Sequence, residues 1–188
     1  TILIFNGEIY NYIEIRKKLI SMGHIFKTNS DTEVLIHALK QWKEKAVDFL
    51  EGMWAFAWYD NNTEKLILSR DRFGEKPLYY GLNNNKFYFA SELKSLIKDP
   101  NFKKEIDKKI LNNFFALNYI PAPKSIYKNI FKLMPGHYFE FKIDENFNID
   151  ATQQKKYWNI QALKSENIST SLFFLKSKKK LKKLIYES

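Results

Sequence analysis

Gly52-Met53-Trp54-Ala55-Phe56-Ala57-Trp58-Tyr59-Asp60 is apolar almost throughout, and large aromatic residues alternate in it with small ones. A period of two is that of a β-strand, and apolar residues on both phases mean that both faces are covered. Asn61-Asn62-Thr63-Glu64 then turns the chain. Residues 65–70 return as the partner strand, which sets a hairpin in the middle of the core. A second hairpin follows, residues 77–82 and 86–90, joined through Asn83-Asn84-Asn85. The connection between them, Asp71-Arg72-Phe73-Gly74-Glu75-Lys76-Pro77, reads as a charged loop. Further on, residues 137–143 alternate as another strand, after an irregular stretch at 126–133 and a turn at Met134-Pro135-Gly136.

Upstream of the first hairpin, residues 1–5 read as a buried strand that delivers the chain to Asn6-Gly7-Glu8. Asn-Gly is a strong tight-turn dipeptide and glycine takes positive φ at no steric cost, so a turn is expected at Gly7. The same residues also place a carboxamide, a bare backbone N–H and a carboxylate together, a corner able to polarise a carbonyl. Residues 11–22 carry apolar side chains at helical spacing, with Asn11 as cap and Glu14 completing a capping box. Gly23 stops that helix, and residues 24–27 read as a short strand. Residues 28–32 are turn-like. Val34, Leu35, Ala38, Leu39 and Trp42 mark a second helix capped by Ser30 or Asp31, whose N-terminus favours anions. Ser91-Glu92 is expected to cap a short helix at 93–97, and Asp107 a longer one reaching Tyr119, ended by Pro121-Ala122-Pro123. Residues 144–154 are a polar loop. Leu181, Leu184 and Ile185 suggest the first turns of a last amphipathic helix. Hairpins with helices segregated from them read as α+β.

Composition narrows the function classes. The 188 residues are 45% hydrophobic and include 16 Phe, 11 Tyr and 4 Trp, enough for one substantial domain. No stretch of about 18 apolar residues forms a membrane span, and no signal peptide opens the sequence, which points to the cytoplasm. The absence of cysteine excludes disulfides, thiolate zinc sites and a cysteine nucleophile within these residues. His24, His37 and His137 lack metal-ligand spacing. The formal charge is +10, yet Arg16, Arg70 and Arg72 are the only arginines among 31 basic residues, and six lysines crowd residues 176–183. Nucleic-acid readers favour arginine, so neither nucleic acid nor a membrane surface is the expected partner.

Five blocks in order carry a family resemblance: Asn6-Gly7-Glu8-Ile9-Tyr10-Asn11; Ser30-Asp31-Thr32-Glu33; Gly52-Met53-Trp54-Ala55-Phe56-Ala57; the run from Arg70-Asp71-Arg72-Phe73-Gly74 to Pro77-Leu78-Tyr79-Tyr80; and Ala90-Ser91-Glu92-Leu93. Together they resemble the amino-terminal class II glutamine amidotransferase (glutaminase) domain of the asparagine synthetase B family. Tyr119-Ile120-Pro121-Ala122-Pro123 and Leu133-Met134-Pro135-Gly136-His137 look like the segment closing that domain. The resemblance assigns residues 1–160 to a partial glutaminase domain and 161–188 to a basic linker and the start of a helix leading to a synthetase domain.

That resemblance implies an Ntn-hydrolase fold, a four-layer αββα sandwich of antiparallel sheets, here without its first strands. It implies a nucleophilic cysteine at the mature N-terminus whose own α-amino group is the base, and that cysteine is not in this sequence. Asn6 and Gly7 match the family's oxyanion donors, and Glu8 and Asp31 match positions that hold the α-amino end of glutamine. The implied reaction is hydrolysis of glutamine to glutamate and ammonia, which a second domain uses with ATP and Mg2+ to amidate aspartate. No cofactor is expected in these residues, no metal site either, and a homodimer is the expected whole enzyme. Other readings remain open: amidation of another acid such as a sugar carboxylate, or a truncated non-catalytic relative.

Overall fold

The hairpin of residues 52–70 lies at the heart of a five-stranded antiparallel sheet. The computed structural model describes residues 1–142, 153–160 and 171–187. In chain order these form β1 (Ile2–Ile9), α1 (Tyr12–Ser21), α2 (Asp31–Trp42), a 3₁₀ segment (Lys43–Asp48), β2 (Gly52–Asp60), β3 (Lys65–Arg70), β4 (Tyr79–Asn83), β5 (Lys86–Ala90), α3 (Leu93–Leu96), α4 (Lys108–Leu117), β6 (Ile130–Lys132), β7 (His137–Lys142), β8 (Lys155–Lys156) and α5 (Ser171–Glu187). One sheet has the order β1-β2-β3-β7-β8, the other β5-β4-β6.

The aromatic-small alternation of β2 decides how the layers stack. Trp54, Phe56 and Trp58 all point to one face and are fully buried there with Leu35, Ala38 and Leu39 of α2 and Leu19 of α1. Each such large apolar side chain contributes roughly 2–3 kcal/mol on burial. Ala55 and Ala57 point to the opposite face, where Leu66, Leu68 and Phe139 of the same sheet meet Tyr80 of the second and Leu78 just before it. The alanines let the two sheets approach. On the far side of the second sheet, Leu96, Phe102 and Ile130 pack with Tyr79, Tyr88 and Leu93. The layers therefore run α, β, β, α, the α+β architecture of an Ntn hydrolase.

Several local expectations need correction. No turn forms at Asn6-Gly7: β1 continues through both, with Asn6 opposite Ala55 and Gly7 opposite Trp54. Eight residues of ladder outweigh a two-residue turn propensity. Asn11 does not cap α1 with its side chain. Its Nδ2 donates to Phe49 O at 2.9 Å and its Oδ1 accepts from Glu51 N at 3.0 Å, tying the start of α1 to the entry of β2. Residues 24–27 form no strand, because Glu33 takes the backbone N–H groups of Lys27 and Thr28. Ser30 caps α2 by accepting from Glu33 N at 3.2 Å, which leaves Asp31 for another task. Ser91-Glu92 gives α3 no side-chain cap. The stretch at 126–133 contains β6, paired to β4. Asp107 caps α4 as expected, through Lys109 N, but the helix stops at Asn118 in the left-handed region. The last helix begins at Ser171, a full ten residues before Leu181. Ile143, most of the polar loop at 144–154 and the junction at 161–170 lie outside the described residues.

Candidate functional site

β1 is an edge strand of its sheet among the described residues, and its two edges differ. Tyr10 N donates to Glu51 O at 2.8 Å, toward the β2 side. Ile9 N instead donates to Asp31 Oδ2 at 3.0 Å, away from β2. Backbone N–H groups alternate in direction along an antiparallel strand. Gly7, two residues before Ile9, therefore turns its N–H to the same outer edge. The absence of a side chain there has a steric cause: a Cβ on Gly7 would lie 2.2 Å from Met53 O and 2.7 Å from Trp54 Cα. Gly7 has no positive φ. The glycine allows β1 and β2 to approach closely and makes no turn.

Side chains alternate as well. Leu3, Phe5 and Ile9 face the helices, while Ile2, Ile4, Asn6 and Glu8 lie on the other face and are exposed. The Asn6 carboxamide stands over a cavity of about 290 Å³ whose floor is Ala55 and Ala57 and whose far wall is Leu78, Phe89 and Ser91. Its Nδ2 donates to Ser91 Oγ at 3.1 Å. Glu8 shares its face two residues on, opposite Met53. The structure thus brings Asn6, Gly7 and Asp31 to one end of β1, with Glu8 between them on the exposed face.

Asp31 reaches β1 because the other residues of Ser30-Asp31-Thr32-Glu33 hold the start of α2 in place. Ser30 caps the helix. Glu33 accepts from Lys27 N at 2.8 Å, Thr28 N at 2.7 Å and the Thr28 hydroxyl at 2.6 Å. These bonds, that of the Thr28 hydroxyl foremost, lower the Glu33 pKa to about 2. Asp31, at the first position of α2, has Oδ1 within 3.3 Å of the Thr32 hydroxyl. A carboxylate with one oxygen bonded to a strand edge keeps lone pairs for a cation.

Two further groups were not expected. The charged loop after β3 is organised from inside. The fully buried Asp71 accepts from Trp54, Phe73, Glu75 and Lys76 N–H groups at 3.0–3.3 Å. Arg70 donates to the carbonyls of Gly74, Lys76 and Leu133. Tyr157 closes over it, its hydroxyl donating to Arg70 O at 2.7 Å while its ring stacks on Trp54. The Asp-Arg-Phe-Gly sequence signals a turn, but its burial depends on partners more than sixty residues away. The second group is a histidine pair: His24 Nδ1 lies 2.9 Å from His37 Nδ1, and His24 Nε2 lies 2.9 Å from Gln41 Oε1. A larger cavity of about 390 Å³ beneath α4 is walled by Leu93, Leu111, Phe114 and Ile120, with Lys132 as its one charged wall residue, and has no group suited to chemistry. Among the described residues no cluster of three or more His, Asp or Glu side chains is placed to hold a metal ion, and no helix is long and apolar enough to cross a membrane.

Residues 1–158 match the glutamine amidotransferase domain family. The chain is 44% identical over 142 residues, 76% of its length, to asparagine synthetase [glutamine-hydrolyzing] 1 of Bacillus subtilis, covering 22% of that protein. It is 37% identical, over an alignment of 195 positions that takes in all of this chain, to the putative asparagine synthetase [glutamine-hydrolyzing] 2 of Methanocaldococcus jannaschii, covering 34% of that protein. The chain thus spans about a fifth to a third of the length of these curated relatives. A solved structure of the allosteric regulatory enzyme of purine biosynthesis shares the fold, with a TM-score of 0.50 and 22% identity over 81% of this chain and 27% of that one. By its sequence, the chain belongs to the glutamine amidotransferase domain family.

Proposed function

We propose that the chain forms the oxyanion and substrate-recognition side of the glutaminase site in a glutamine-hydrolysing asparagine synthetase. One observation carries this reading: among the described residues no strand covers the β1 edge to which Gly7 turns its N–H, Asn6 is its neighbour in the strand, and Asp31 bonds Ile9 N two residues further along. Two residues of strand span about 7 Å, and glutamine's carboxamide carbon and α-nitrogen lie at most about 5 Å apart, so hydrogen bonds at each end bridge the span. A glutamine laid along this edge presents its carboxamide oxygen to Gly7 N and Asn6 Nδ2. Its ammonium then meets Asp31, with Glu8 adding negative charge nearby.

In this reading a thiolate attacks the carboxamide carbon, and the oxygen takes the negative charge that Asn6 and Gly7 stabilise. Ammonia leaves with the proton supplied to its nitrogen, and water hydrolyses the thioester to glutamate. This sequence holds no cysteine, so the thiol comes from residues outside it, and these 188 residues alone do not turn over glutamine. The use of ammonia with ATP and Mg2+ to amidate aspartate belongs to the remaining length of such an enzyme. Among the described residues no cluster of side chains offers that metal a ligand set.

The test is to incubate the whole protein with L-glutamine and measure glutamate and ammonia. Equimolar release is expected. Glutaramate, which keeps the carboxamide but has no α-ammonium, is expected to be a far poorer substrate. No release from L-glutamine, or equal use of glutaramate, would overturn the proposal.

A further inference from the structure

Ser91 stands two residues before α3, in the pair expected to cap that helix, yet no side-chain cap forms there. Its hydroxyl oxygen instead accepts from Asn6 Nδ2 at 3.1 Å, across 85 residues of sequence and from one sheet to the other. We infer that Ser91 is a positioning residue for the Asn6 carboxamide, an inference that rests on the glutaminase reading above.

A carboxamide on an exposed edge strand is poorly oriented by itself, since the last torsion of Asn is broad and twofold. Either its oxygen or its nitrogen then faces the cavity, and only the nitrogen can donate to a developing oxyanion. Asn6 has few neighbours to choose between them. Ala55 and Ala57 beneath it are apolar and small, and Leu78 and Phe89 across the cavity are apolar too. Ser91 Oγ is the hydrogen-bonding partner on that wall. In the observed bond Oγ accepts one Nδ2 hydrogen, which holds the carboxamide against that wall with its nitrogen inward and leaves the second hydrogen in the amide plane to donate. Ser91 follows β5 directly, in the second sheet, so the contact also sets Asn6 relative to both sheets.

The experiment compares Ser91→Ala, Ser91→Thr, Asn6→Ala and the double variant in the whole protein, by steady-state glutamine hydrolysis. It is paired with the ¹H–¹⁵N spectrum of the Asn6 side-chain amide in the same whole protein. Ser91→Ala should lower kcat about tenfold with KM for glutamine unchanged, a smaller loss than the ~10²–10³-fold of removing an oxyanion donor itself. Ser91→Thr, which keeps the hydroxyl, should restore most of the turnover. Adding Ser91→Ala to Asn6→Ala should cost nothing more. In the spectrum, the two Asn6 amide protons should collapse toward unstructured shifts in Ser91→Ala and stay dispersed in Ser91→Thr. An unchanged kcat, an equal further loss in the Asn6→Ala background, or an unaltered amide signal in Ser91→Ala would overturn the inference. If Asn6→Ala itself keeps full turnover, the oxyanion reading fails instead, and the amide spectrum still decides whether Ser91 orients Asn6.

Discussion

Gly7 is the residue where local propensity and tertiary packing part company. Its neighbour Asn6 makes a turn the natural expectation, but the structure uses the missing Cβ for a close approach to Met53 O and Trp54 Cα. Gly7→Ala should therefore destabilise the chain by about 2–4 kcal/mol, since strands must shift to admit the methyl group. Urea unfolding measures this; a change below about 0.5 kcal/mol would show that the strands give way freely. Asn6, Gly7, Glu8 and Asp31 were singled out as a set through the family resemblance, from two short blocks of sequence. What Asp31 touches was not legible there. An aspartate at the start of a helix reads as a cap, and only the folded chain brings the Ile9 N–H to it. Glu33 and Ser91 were illegible for the same reason, as each acts on a backbone or side chain that local spacing does not predict.

Among the elements, the strands were the most legible. Alternation in β2 and the turn at 61–64 follow from side-chain period and turn chemistry alone, and β3, β4, β5 and β7 fell where expected. The three-residue β6 has too few residues to show a period and is held by pairing with β4. Helix ends were legible where the cap is local. Ser30 is such a case, and Ser30→Ala should cost about 1 kcal/mol of stability. Ser30→Asn should cost much less, as thermal unfolding of both variants would reveal. Equal losses would mean that the serine hydroxyl serves something other than Glu33 N. The cap of α1 was misread because Asn11 spends its carboxamide on Phe49 and Glu51, thirty-eight and forty residues away.

For the whole molecule, the four layers could be expected only through the family resemblance, since periodicity does not say which sheet faces which helix. Stability of the assembled layers should depend on pH through the histidine pair. His37 titrates below its ordinary value, because it is partly buried against the rest of the fold and because His24 and Lys40 lie nearby, with Glu33 opposing them. Phe26 covers its ring and Arg16 lies over Phe26. The folded chain thus binds fewer protons than the unfolded one. This stability is complete above the unfolded value of 6.5 and is lost as pH falls from there through the lower folded value. Unfolding midpoints between about pH 8 and pH 5 should decline, and His37→Gln should flatten that slope. A slope unchanged by the substitution would remove the pair as its source. Glu33, held at about 2 against 4.5, acts in a separate window and loses its contribution only as pH falls below 4.5.

The central claim is that the outer end of β1 binds glutamine with separate groups for its two ends. Steady-state glutamine hydrolysis by the whole protein carrying Asn6→Ala or Asp31→Asn tests it most directly. Asn6→Ala should lower kcat by ~10²–10³-fold with little change in KM, since its donor acts on the charge that develops in the transition state. Asp31→Asn should raise KM while leaving kcat largely intact. An unchanged kcat in Asn6→Ala together with an unchanged KM in Asp31→Asn would contradict the account.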